Sequence, residues 1–87
     1  MMNTSYQEAV AVLLSLLFLQ RHHLQADAHA VAGRLGWDVA YYLQVARRLE
    51  ERGLIRIESN RFTMRGLVFA SSLERAQQQR ATARAAA

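Results

Sequence analysis

Two aspartates and two glycines punctuate the middle of this chain in a way that few folds accommodate. Asp27 precedes an apolar-periodic stretch that closes at Gly36, and Asp38 precedes a second that closes at Gly53. An aspartate side chain accepts from the free amides at a helix start, and glycine takes readily to the left-handed conformation that ends a helix. The spacing therefore predicts a short helix over 28–35 and a longer one over 39–52, joined by only about three residues. So short a connection makes the helices cross steeply and projects the second away from the body. Directly afterwards, 54–58 alternate as a strand, Ser59-Asn60 reads as a two-residue turn, and 61–64 return as a second strand.

The flanks of this stretch read as helices. Ser5-Tyr6-Gln7-Glu8 has the form of a capping box, which predicts a first helix from Tyr6 to about His22. On that helix Val10, Leu13, Leu14 and Leu17 make one apolar stripe and Val12, Leu16 and Leu19 another, so nearly the whole circumference is hydrophobic. A chain this small has little material for a second covering layer. The expectation is a symmetric homodimer with Val12, Leu16 and Leu19, joined by Leu73 of the last helix, at its interface. Thr63 can cap that last helix, which sets Leu67, Val68, Ala70, Leu73 and Ala76 on one face and is expected to fray over 77–80. The fold class is thus mostly α with a small β-hairpin: three helices, the hairpin and a C-terminal helix. Residues 1–80 form a single domain on this reading, and 81–87 a disordered tail.

Composition narrows the chemistry. Cysteine is absent, which excludes disulfides and thiolate sites. The formal charge is +4 with all eleven cations arginine, a balance suited to a polyanionic partner. The longest apolar run, over 9–19 with Ser15 inside it, falls short of the roughly 20 residues that span a bilayer. No basic residue precedes that run and Glu8 does, so a signal peptide is not indicated and a soluble cytoplasmic protein is expected. His22, His23 and His29 lack the convergent spacing of a metal site, and no phosphate loop or nucleophilic triad is visible. The reading is therefore of no enzyme, no catalytic residues, no metal and no cofactor.

Residues 27–66 resemble the winged helix-turn-helix transcription regulators of the MarR, ArsR and PadR type. The resemblance is carried by Val31-Ala32 with Leu35-Gly36, by Leu49-Glu50-Glu51-Arg52-Gly53-Leu54-Ile55, and by Thr63 with Gly66, similar to the Thr-x-x-Gly that opens the following helix in those proteins. Tyr42 and Ala46 stand where such proteins usually carry an aliphatic pair. The resemblance implies a winged-helix fold and double-stranded DNA as partner, although winged helices also serve as protein–protein adaptors.

The residues themselves support DNA. With Tyr42, Ala46 and Leu49 facing inward, the helical period turns Ala40, Tyr41, Gln44, Arg47 and Arg48 toward solvent or its edge. Glutamine pairs with adenine, arginine with guanine or phosphate, and tyrosine reaches phosphate or a thymine methyl; small Ala40 permits close approach. Arg56 and Arg61 flank the hairpin turn, where cations reach backbone phosphate or a minor groove. Trp37 reads as a plug between the two central helices. The function expected is a small homodimeric transcription regulator acting as a repressor, with the 39–52 helix in the major groove and the 54–64 wing on flanking backbone. The alternatives are a winged-helix adaptor, or a DNA-binding protein of plasmid partition, replication or phage control.

Overall fold

Local signals place most of the helix ends. The computed structural model describes the backbone of residues 2–86 and the side chains of residues 6–82. Its elements follow in the order α1 (Met2–Arg21), α2 (Ala28–Leu35), α3 (Val39–Glu51), β1 (Ile55–Arg56), β2 (Arg61–Phe62) and α4 (Met64–Ala86). The Asp27 carboxylate accepts from the Ala30 amide at 2.7 Å, and Gly36 closes α2 at φ 72°. Asp38 occupies the corresponding place before α3 but makes no capping hydrogen bond with its side chain. Gly53 turns the chain out of α3 at φ 75°, a left-handed conformation that a β-carbon disfavours.

Three boundaries differ from expectation. Helix α1 begins at Met2, so Ser5 lies inside it instead of capping it, and its side chain falls outside the described residues. Glu8 instead accepts from the Tyr41 hydroxyl across to α3. The hairpin pairs only Ile55 with Phe62 and Arg56 with Arg61, so residues 57–60 make a four-residue turn where Ser59-Asn60 alone was expected. Asn60 sits at φ 52°, and its amide donates to the Ile57 carbonyl at 3.2 Å. Helix α4 continues to Ala86, past the stretch over 77–80 where fraying was expected.

The core forms around α1, which packs against α2, α3 and α4. Val12, Leu13, Leu16, Leu17 and Leu19 of α1 are buried with Val31 and Ala32 of α2, Tyr42, Val45, Ala46 and Leu49 of α3, Ile55 of β1 and Ala70 of α4. This corrects the proposed dimer surface. Val12 is 0 % exposed, Leu16 2 % and Leu19 6 % within the single chain, and Leu73 is half-buried against the same core. The helix is apolar nearly all round because its own chain wraps it, with the long α4 supplying the layer that a chain of this size was thought to lack. The larger apolar side chains left exposed include Tyr6, Met64, Val68 and Phe69. At the surface, Arg21 pairs with Glu74 between α1 and α4, and Arg34 of α2 lies over the Phe18 ring of α1, 3.7 Å from its centroid. No helix among the described residues is long and apolar enough to cross a membrane.

The base of the hairpin is a close joint. The Thr63 hydroxyl donates toward the carbonyls of Gly53 and Leu54, at 2.6 and 3.1 Å, and accepts from the Gly66 amide at 3.0 Å, which caps α4. The Thr63 amide donates to the Leu54 carbonyl at 3.1 Å. A β-carbon at Gly66 would stand 1.7 Å from that carbonyl oxygen. Thr63 and Gly66 are therefore needed together: the threonine draws the chain ends into contact, and only glycine leaves room for the contact.

Candidate nucleic-acid interface

Helix α3 has an inward and an outward face because its apolar residues recur at helical spacing. Tyr42, Val45, Ala46 and Leu49 point into the core, while Ala40, Gln44 and Arg47 are exposed on the opposite side, as expected from a turn of about 100° per residue. Among the described residues, the Gln44 and Arg47 side chains make no hydrogen bond or ion pair within the chain. Glu51 lies on the same stripe near the end of α3 and is exposed, so the stripe loses its positive character toward that end. The uncharged and positive part of the stripe therefore runs from Ala40 through Gln44 to Arg47.

Tyr41 and Arg48 lie at the edge of this face, on the side of α1. Tyr41 is 37 % exposed, yet its hydroxyl is held by Glu8 of α1, and its ring meets that of Trp37 edge-on at 5.1 Å. Arg48 is exposed but lines a groove of about 440 Å³ with Tyr6, Val10 and Leu13 of α1 and Phe69 of α4. Both flank α1, about a quarter turn from the Ala40–Gln44–Arg47 stripe. Trp37 is half-buried against the core, in the place of a plug at the α2–α3 connection.

The hairpin turns one face inward and one outward. Ile55 is buried and its partner Phe62 half-buried, whereas Arg56 and Arg61 are both exposed and are direct cross-strand partners. Like charges set opposite each other destabilise a strand pair, by a few tenths to about 1 kcal/mol. The register thus concentrates two guanidinium groups on one short surface at a cost to the isolated fold, which an anionic partner would offset. Glu58 in the turn is the nearest carboxylate in sequence and is also exposed.

Sequence reading missed what orients this hairpin. The Tyr42 hydroxyl, on a side chain that is 0 % exposed, donates to the Asn60 side-chain oxygen at 2.7 Å. Burial pushes the Tyr42 phenol from 10.0 up to about 12, so it remains protonated and a donor. Glu50, also on α3, accepts from the Ile57 amide at 3.0 Å. The available signal was chemical: a buried tyrosine in a position suited to an aliphatic residue needs a partner for its hydroxyl, and an asparagine in a nearby turn offers one. The histidines gather into no comparable arrangement. His22 stacks beside Phe18 with ring centroids 4.2 Å apart, and no cluster of three or more potential metal ligands occurs among the described residues.

Comparison with family models, curated proteins and solved structures finds no match to this chain. The functional reading therefore rests on its own residues and their placement.

Proposed function

We propose that this chain is a winged helix-turn-helix protein that binds double-stranded DNA sequence-specifically, as a small homodimeric transcription regulator acting as a repressor. In this reading α3 enters the major groove and the hairpin is the wing, resting on flanking backbone. The observation that carries it is the pairing of two surfaces. One is an exposed Ala40–Gln44–Arg47 stripe with no structural duty, and the other is an adjoining hairpin that opposes Arg56 to Arg61. Glutamine and arginine at groove depth can read base edges, and paired guanidinium groups grip phosphate. Tyr41 and Arg48, turned toward α1, serve in this reading at the edge of the footprint, against backbone. A second copy would have to join through α4 and the start of α1, where Tyr6, Val68 and Phe69 remain exposed, since Val12, Leu16 and Leu19 are already covered. Blocking polymerase at a near-palindromic site is the simplest mode of repression for such a dimer.

The test is selection of the protein against randomised duplex DNA at low and at physiological salt. Enrichment of an inverted repeat, with affinity that falls steeply as salt rises, is the expected result. Clustered direct sites would favour a partition or replication role on the same surface. The groove beside Tyr6, Val10, Leu13 and Phe69 favours one second reading, a protein adaptor. That reading predicts no enriched sequence and partner binding that survives high salt.

A further inference from the structure

A hairpin with two residues in each strand does not hold its own orientation in water, since isolated two-stranded ribbons are marginal even when longer. Its root is fixed by Thr63 and Gly66, and its inner face by Ile55 and Phe62. The far end, residues 57–60, is held by α3 through two bonds: the Tyr42 hydroxyl to the Asn60 side chain at 2.7 Å, and the Ile57 amide to the Glu50 carboxylate at 3.0 Å. Tyr42 and Glu50 lie about two helical turns apart, so the turn is fastened at two separated points, which sets direction as well as distance.

We propose that Tyr42 and Asn60 form a latch that holds Arg56 and Arg61 in a set position relative to Gln44 and Arg47, so that α3 and the hairpin engage DNA as one rigid unit. The inference rests on the DNA-binding reading above. Tyr42 and Asn60 are positioning residues, with no contact to DNA required of either. Asn60 suits the task on two counts. Asparagine tolerates the φ of 52° that most side chains resist, and its amide oxygen supplies a neutral acceptor for the buried phenol. Tyr42 shares α3 with Gln44 but projects from the opposite side, so the helix transmits the position of the wing directly to the residues that face the groove. Holding the wing in place before binding removes the ordering cost from the binding step.

Two substitutions isolate the latch. Tyr42→Phe removes the donor, and Asn60→Gly removes the acceptor while keeping a residue at ease in the left-handed backbone. Affinity for a duplex selected by the wild-type protein is measured across a salt series. Each variant should bind about fivefold more weakly, close to the equivalent of one neutral hydrogen bond. The double variant should be no weaker than either single one, and the salt dependence should become shallower as phosphate contacts are lost. In an Arg56→Ala/Arg61→Ala background the latch substitutions should have no further effect, whereas beside Gln44→Ala their effect should persist in full. A purely structural tyrosine would show no such dependence on the wing arginines. If Tyr42→Phe does not fold, Asn60→Gly, in a surface turn, carries the same test. Wild-type affinity in both variants, or an equal loss with and without the wing arginines, overturns the latch and leaves the DNA reading standing. A wild-type protein that binds no duplex overturns both.

Discussion

At the base of the hairpin, the Thr63 hydroxyl serves two carbonyls and an amide, and Gly66 lies against the Leu54 carbonyl with no space for a methyl group. On the outward stripe of α3, Gln44 and Arg47 serve nothing in the chain. The contrast separates two reasons for a residue to be what it is. Positions at the hairpin base answer to the backbone around them, so their identity follows from the fold. Positions on the stripe carry no such demand, so the fold does not set the identity of the glutamine and arginine there, which leaves them available to a partner. Tyr42 stands between the two cases, with its ring in the core and its hydroxyl directed at the hairpin turn.

The contrast can be broken most directly at Gly66. Gly66→Ala forces the Leu54 backbone to move and should cost about 3 kcal/mol, the upper end for overpacking, measured by denaturant unfolding. A loss below about 1 kcal/mol would mean that the joint is loose and that the hairpin has no fixed root.

Tyr42 gives the next largest effect. Tyr42→Phe should destabilise the fold by about 1 kcal/mol at neutral pH. Its phenol is raised in the folded state, so its contribution is complete below pH 10.0 and is lost as pH climbs through about 12. Stability of the wild-type protein should therefore fall across that interval more steeply than that of Tyr42→Phe, followed by circular dichroism together with tyrosinate absorbance. Parallel curves would place the hydroxyl in water instead of in the core.

The two helix-capping aspartates offer a smaller, paired test. Asp27→Ala should cost about 1 kcal/mol because it removes a formed capping bond, while Asp38→Ala, which removes none, should cost a few tenths at most. Equal losses would show that Asp38 caps α3 in solution.

Least change in stability is expected on the stripe. Gln44→Ala and Arg47→Ala should each stay within about 0.5 kcal/mol of wild type in unfolding. Each should nevertheless weaken binding to a selected duplex by about 1 to 3 kcal/mol, with preference relaxed at one base position if the residue reads that base. Loss of fold with loss of binding would erase the distinction between the stripe and the hairpin base.

Much of the architecture was legible in the sequence. The spans of α2 and α3, the left-handed glycines at 36 and 53, the Thr63 cap and the inward set of Tyr42, Ala46 and Leu49 all follow from neighbours within a few residues. The exposure of Ala40, Gln44 and Arg47 follows from the same period. Other features were not legible because they depend on which elements meet. The apolar circumference of α1 read as a surface awaiting a second copy, but α4 returns along the chain and covers it. Tyr41 and Arg48 read as exposed or edge residues and are exposed, but that their flank borders α1 depends on how α1 and α3 pack.

The sequence by itself determined where helices start and stop and which side of α3 carries polar groups, because capping, left-handed turns and helical period act over one or two turns of backbone. Only the tertiary structure decided how Arg56 comes to face Arg61, why residue 66 must be glycine and which partner the Tyr42 hydroxyl finds. Each of these depends on the close approach of segments distant along the chain or on strand register, and burial and hydrogen-bond pairing are properties of that approach.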